Sequence, residues 1–537
     1  MRPHFVAACL ASTFAIAQSL PHGFVQETLA PNQHGPIALD FLPDGRVVFV
    51  EQHTGAVKVL ATAAGNAVAT VGTVTGLVTS YSQGLLSIAV DPQWPTRPFV
   101  YCYHTNAAAA DLRVTRFTVT GSLTTATSTN LQLGTAYTVL SGVPDNTPLH
   151  EAGCLRFGPD GMMWLTTGED DDACKAQDVT SLLGKLLRMR VDTLPAGAGS
   201  ALRSDLVPPG NPFAGPGDIA PLVWAYGLRN PFRFHVDPAN GAVFVADVGD
   251  AQRDEIDRLT SGGSNLGWPW FEADLPLTTC TGSAPGPSTP IAVHAVPPQF
   301  QALISLGVCR VPANAPFRFG PQYDGDYFYT DHFTGRIWRL NESGGAWLPA
   351  PPVPGQTNPA LWATVPWITD ARFGADGALY FCERADVSIG SVRRIRPTAA
   401  TWSPFGSGCA GSFGTPSLVA TGGSLPVLGG TLSLQIAGLP AASSLSIGLL
   451  GVSKSSWDGA PLPADLTVVG MPSCTLLVQP LILTALLGGS GTAPWPFAVP
   501  STASFVGQDL YAQALVLDAG WNPFGAVLTN AGEGVIR

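Results

Sequence analysis

Apolar and polar residues alternate along this chain in short runs, and each run is cut off by Gly, Pro, Asp or Asn. A period of two predicts strands, and the breakers between them predict tight turns. One unit recurs: an aromatic or aliphatic residue, a turn built on Pro, Asp or Gly, then an alternating strand. It reads FLPDGRVVFVEQ from Phe41, VDPQWPTRPFVYCYHT from Val90 and FGPDGMMWLTTGED from Phe157. It returns as VDPANGAVFVADVGD from Val236, FGPQYDGDYFYTDHFTGRIWRL from Phe319 and FGADGALYFCER from Phe373. Glycine in such a turn supplies the positive φ that a tight hairpin needs. Six copies predict an all-β fold, a six-bladed β-propeller over residues 20–400, whose radial closure leaves few open sheet edges.

The pattern changes near residue 400. From Ser403 to Arg537 only seven residues carry formal charge. Leu432, Leu434 and Ile436 share one strand face there, and Leu445, Ile447 and Leu449 share another. Short alternating strands of this kind predict a small C-terminal β-sandwich over residues 403–537, with no catalytic constellation of its own.

Composition narrows the classes further. The 537 residues include 60 glycines and 48 prolines, too many for a helical protein, and only 12% are charged, about half the ~25% usual for soluble domains. A net charge of −11 with only four lysines argues against a nucleic-acid or anionic-membrane surface. Residues 1–17, MRPHFVAACLASTFAIA, carry one arginine, an apolar run and a small-x-small end. They read as a secretory signal peptide, too short to span a membrane, so the expected location is secreted or periplasmic. Cys9 lies in that segment and eight cysteines follow it. Cys409 and Cys474 alone lie in the C-terminal part and are the expected disulfide; spacing leaves the other pairings open.

Four segments carry candidate chemistry. His150 heads HEAGCLRFGPDG, and Arg229 and Asn230 lie in VWAYGLRNPFRFHVD. Gly249, Asp250 and Glu255 lie in ADVGDAQRDEID, and SLLGKLLRMRVD spans Ser181 to Asp192. The acidic run Glu169 to Asp172 reads first as a solvated loop and second as a set of hard oxygen ligands for calcium. Arg229 could equally tie strands together, and Glu255 could pair with a neighbouring arginine.

These segments, with GLLSIAVDP from Gly84 and DYFYTDHFTGRIWRL from Asp326, stand in one order from Leu20 to Pro397. Together they resemble the glucose/sorbosone dehydrogenases, quinoprotein sugar dehydrogenases on a six-bladed propeller. The resemblance implies pyrroloquinoline quinone (PQQ) near the axis, a sugar or other alcohol as substrate, and an external electron acceptor. His150 would take the hydroxyl proton while hydride moves to the quinone. Arg229 would polarise the quinone oxygen and Asn230 and Gln83 would hold the cofactor. Gly249, Asp250 and Glu255 would hold calcium. The chain departs from the family at Ser82, at Phe333, where the glucose enzymes carry a lysine, and at Trp367 and Thr369, where they carry arginines. Arg310 and Arg336 are the candidate replacements. A non-catalytic extracellular binding propeller is therefore the alternative reading.

Overall fold

The computed structural model describes residues 18–537 apart from 22, 215–216, 278–279, 281, 283–285, 287–288, 297–300, 313–314, 354–355, 357, 441, 443 and 503–504. The expected signal segment, residues 1–17, lies outside the described residues. The fold is all-β; helical backbone among the described residues is confined to short 3-10 turns. No helix among them is long and apolar enough to cross a membrane.

Six sheets, antiparallel except for the short edge strand Gly199–Ser200 of the second, follow one another from Phe24 to Pro397. Their first strands are Pro36–Phe41, Leu85–Val90, Ala152–Phe157, Arg233–Val236, Leu303–Val308 and Ile368–Phe373. Each first strand packs on the first strand of the next sheet, and the sixth returns to the first, so the six form a closed ring. The ring is sealed by the chain's beginning: Phe24–Gln33 pairs with Ile389–Pro397 as the outer strand of the sixth sheet. Between neighbouring sheets the faces bury aliphatic and aromatic side chains, such as Leu86, Tyr101, Tyr103 and Leu165 between the second and third. This is why the first and second strands are buried at nearly every position rather than at alternate ones.

Five of the six repeat units form the hairpin between a first and a second strand. The unit at Phe319 does not. There the first strand ends at Val308 and the second begins at Tyr327, and Phe319 sits inside the long connection, 1% exposed. Its ring packs among Phe24, Tyr323, Phe328, Trp362 and Phe373, so burial of an aromatic residue, not strand position, placed it there.

The ring has a polar centre. Arg233, fully buried, donates to the carbonyls of Thr369 (3.0 Å), Ile37 (2.7 Å), Gly153 (3.3 Å) and Leu86 (3.3 Å), joining five of the six first strands. Asp370, also fully buried, accepts Arg156 and lies 3.5 Å from Arg233 Nε. Its second oxygen accepts the Leu39 amide at 3.0 Å. Two arginines and one aspartate thus plug the axis. The repeat turns lie at one end of this plug. The starts of the first strands and the loops after the second strands lie at the other.

The C-terminal part begins two residues before the expected boundary, because Thr401–Phe405 pairs with Ala531–Val535. It contains a six-stranded sheet and a three-stranded sheet around their own core. Leu432, Leu434 and Ile436 point into that core; of the second set Leu449 is buried in it and Ile447 packs against it, while Leu445 is 40% exposed. The same strand also buries Ser446 and Gly448. A Cβ on Gly448 would come within 2.6 Å of the buried Trp495 ring, so the indole occupies the space that a larger inward residue would need. Cys409 and Cys474 are bonded, and Cys174 bonds Cys280. Cys102, Cys154, Cys309 and Cys382 are free and buried.

Candidate functional site

His150 lies just before the third sheet's first strand with φ near +60°, a conformation costly for a residue with a Cβ. The acidic run holds it there. Both oxygens of Asp170 are used by the loop ahead of His150, accepting the amides of Asn146 (2.8 Å) and Thr147 (2.9 Å). Glu169 Oε1 meets His150 Nδ1 at 2.6 Å. Gly168 is required at the position before Glu169, because a Cβ there would lie 1.6 Å from the His150 carbonyl. The run is therefore a structural clamp and not a solvated loop, and only Asp171 and Asp172 are exposed. His150, Glu169 and Asp171 present ligand atoms within 4.8 Å of one another.

Hydrogen bonds carry this clamp to the next sheet. The Glu169 amide donates to the Arg229 carbonyl at 2.9 Å, and Asn230 Oδ1 accepts the Ala152 amide at 3.1 Å. The Arg229 and Asn230 amides both donate to Asp247, at 2.9 and 2.7 Å. The Arg229 guanidinium reaches the carbonyls of Val248 (3.1 Å) and Gly249 (2.6 Å) and the Asp250 carboxylate (3.0 Å). His150, Arg229, Asn230, Gly249 and Asp250 thus share one network at one end of the ring.

Below Gly249, Glu272 Oε1 accepts four successive amides, Asp250 to Arg253, at 2.7 to 3.1 Å. Such a nest fixes the loop backbone around a single anion. Asp247, Glu255, Glu272 and Gly249 line a cavity of about 10 Å³, room for one water or one small ion. Burial raises the Asp247 carboxyl to about 7, although the Arg229 and Asn230 amides pull it down. Asp254 is raised to about 6, again by burial first. Oxygen donors in a cavity of that size match a hard cation such as calcium.

Gln83 is buried, donates to Asp145 Oδ1 at 2.9 Å, and accepts Gln52 Nε2 on its carbonyl at 3.2 Å. Gln52 Oε1 in turn accepts Arg384. Arg384 makes no salt bridge among the described residues, and burial lowers its guanidinium to about 10. Its amide donates to the Trp367 carbonyl. Trp367, with φ near +68°, packs edge-on against His332 and Phe333 at 5.5 and 6.2 Å between ring centres. His332 is lowered to about 4 by burial and bonds the Ile368 carbonyl at 2.9 Å. Two positions expected to carry cations thus form an aromatic wall. The third, Thr369, points away, its hydroxyl bonded to the Pro36 carbonyl at 3.0 Å.

Neither arginine expected to compensate is a replacement. Arg310 pairs with Asp237 at 3.0 Å beside the repeat turn at the opposite end of the ring, and Arg336 is exposed at the start of an outer strand. Arg384, which stands there instead, left no motif signal, since CERAD reads as an ordinary strand end. Glu169 was visible in the acidic run, though its partner was not, and Glu272 lay in no motif.

Residues 33–294 match the model of the Glucose / Sorbosone dehydrogenase family. The HIPL1 protein of Arabidopsis thaliana is 36% identical over 152 residues, which are 26% of this chain and 21% of that protein. The chain thus spans about a fifth of the length of that relative. The PQQ-bound form of an aldose sugar dehydrogenase from Streptomyces coelicolor is 25% identical and superposes with a TM-score of 0.51, covering 70% of this chain and 99% of that one. The apo form of the soluble aldose sugar dehydrogenase from Escherichia coli shares the fold at 21% identity and a TM-score of 0.54, covering 70% and 100% of the two chains. The stretch that matches the glucose/sorbosone dehydrogenase family, residues 33–294, holds His150, Arg229, Asn230 and the Gly249 loop.

Proposed function

We propose that the six sheets are the blades of a six-bladed propeller, that the C-terminal part is a β-sandwich, and that the chain is an exported PQQ-dependent dehydrogenase acting on a sugar or other alcohol hydroxyl. The observation that carries this reading is the His150–Glu169 contact of 2.6 Å. An ionised carboxylate can only accept, so the imidazole donates from Nδ1 and keeps the lone pair of Nε2 for a substrate proton. The strained backbone and the Asp170 clamp hold that nitrogen in place without reorganisation when the proton moves. Bound in the site, the quinone supplies the acceptor for the hydride.

The side chains suit a flat polyanion of that kind. Phe333 and Trp367 offer aromatic faces, Arg229 and Arg384 offer cationic donors, and Gln83 and Asn230 offer amides. Calcium would be held by the Gly249 and Asp250 carbonyls and Glu255, with Glu272 fixing their loop. The Gly249 carbonyl that accepts Arg229 at 2.6 Å would then also face the ion, and Arg229 would stand between the metal loop and the cofactor. The test is aldose-driven dye reduction after PQQ and calcium are added to the purified chain. Activity that is absent, or unaltered in His150→Ala, refutes the assignment.

The aromatic wall favours one second reading, a binding propeller without redox chemistry. It expects no PQQ binding at micromolar concentration in the presence of calcium, which an absorbance titration decides.

A further inference from the structure

Beside His150, at the seam between the second and third sheets, three polar side chains are buried with atoms that lack a hydrogen-bond partner among the described residues. They are Tyr103 Oη, Asp145 Oδ2 and Glu151 Oε1. Tyr103 is 0% exposed, Glu151 3% and Asp145 8%. Their other oxygens are bound: Asp145 Oδ1 accepts Gln83 at 2.9 Å, and Glu151 Oε2 accepts the Ser82 hydroxyl. The tyrosine ring is wedged beneath Gly153, where a Cβ would meet it at 2.5 Å. Its hydroxyl lies in the field of Asp145, Glu151, Asp111 and Asp170, all of which oppose its ionisation.

Charge makes this pocket unusual. Asp111 is paired with Arg113 at 2.5 Å, but Asp145, Glu151 and Asp170 have no cation within salt-bridge distance among the described residues. Buried carboxylates cost several kcal/mol each unless a countercharge meets them. Asp170 at least has four donors from Asn146 and Thr147. Asp145 and Glu151 have one donor each and one bare oxygen each. Burial leads the upward shift of both carboxyls, and Glu151 reaches about 7.

We propose that Asp145, Glu151 and Tyr103 form a calcium site at this seam, separate from the Gly249 loop. Two carboxylate oxygens and a phenol oxygen are hard donors, and two carboxylates neutralise one dication. Calcium accepts irregular sets of six to eight oxygens, so water can complete the shell, whereas magnesium demands a near-ideal octahedron. The ion would tie Asp145 and Glu151, the two ends of the loop that presents His150, to the second sheet through Tyr103. The proposal does not depend on the quinone, because it rests on the orphaned oxygens alone.

The test uses the full chain stripped with a chelator and dialysed against calcium. Bound calcium is counted per chain, and terbium luminescence is read as a second probe, since a tyrosine at the site sensitises the lanthanide. Glu151→Gln and Asp145→Asn should each lose one ion per chain and the calcium-dependent rise in melting temperature at this site. Glu272→Gln, which acts on the Gly249 loop, should leave that ion in place. Should Glu151→Gln fold poorly, Tyr103→Phe gives the same reading through weaker calcium binding and quenched terbium emission. A metal count unchanged in both carboxylate variants, or a Glu151→Gln chain stabilised by calcium as strongly as the parent, overturns the proposal.

Discussion

Replacing Asp370 by Asn tests whether the axial plug holds the ring together. Among the described residues Asp370 is the one salt-bridge partner of both Arg156 and Arg233, which are 3% and 0% exposed at the side chain. With Asn, two buried guanidinium charges stand together without a counterion, although the four carbonyls around Arg233 remain. Removing one partner of a buried ion pair costs ~3–5 kcal/mol. Asn still accepts one hydrogen bond, so the lower end, about 3 kcal/mol, is expected. Urea unfolding followed by tryptophan fluorescence should show the ring's transition moving down by roughly 1 M for a slope near 3 kcal/mol per M. In an Arg156→Met background one of the two stranded charges is gone, and the cost of Asp370→Asn should fall by about 1–3 kcal/mol. A loss below about 1 kcal/mol, or a loss identical in both backgrounds, would refute the claim that this carboxylate neutralises the axis.

Other expectations follow from single contacts. Glu169→Gln keeps the shape of the His150 contact but removes the charge that stabilises a protonated imidazole, so kcat should fall by about 10²–10⁴-fold with KM little changed; an unaltered kcat removes Glu169 from the site. Glu272→Gln weakens an anion that gathers four amides, and calcium affinity at the Gly249 loop should drop about 10–100-fold, measured by calorimetry. His235 is held down to about 3, by burial first and then by Arg372 and Arg156, and His332 to about 4 by burial. Because both folded values lie below the unfolded one near 6.5, their contribution is fully present above pH ~6.5 and is lost as pH falls toward 4 and 3. His235→Gln should flatten that acid limb, and a limb of unchanged steepness contradicts the assignment. Cys174→Ser opens a bridge across a separation of 106 residues and should cost about 2–5 kcal/mol; a melting temperature equal to the parent's would mean the loop carrying Glu169 is fixed without it.

What could be read in advance divides along the range of the interactions. Turn signals act over a few residues, Asp-Gly or Asn-Gly in four hairpins and Asp-Pro in the one after Val90, so five of the six hairpins were visible as they stand. Phe319 misled because an aromatic residue ahead of a turn has the same local pattern whether it ends a strand or fills a core. The strand Ser444–Gly451 is the same lesson in reverse. Its apolar face promised burial along its whole length, yet Leu445 is 40% exposed, while Gly448 on the other face is buried beside Trp495, far along the chain. His150, Arg229, Asn230 and the Gly249 loop were legible because motif order marks them. Asp370 and Arg233 were not, since a buried ion pair between sheets 137 positions apart leaves no local trace.

Arg384 shows why charge scarcity is a weaker argument at a site than in a whole chain. Counting residues at Phe333, Trp367 and Thr369 suggests that the cofactor's carboxylates lack cations. The folded chain answers from a different strand: Arg384 leaves the second strand of the sixth sheet, meets Gln52, and makes no salt bridge among the described residues. A half-buried guanidinium that makes no salt bridge is poorly compensated, and it is tolerable where an anion is meant to arrive. Arg384→Met should then separate the two functional readings. If the chain holds a polyanionic quinone, the variant weakens PQQ binding by at least tenfold and gains stability in its absence. If the aromatic wall serves a different partner, PQQ fails to bind parent and variant alike, and the stability change stands alone.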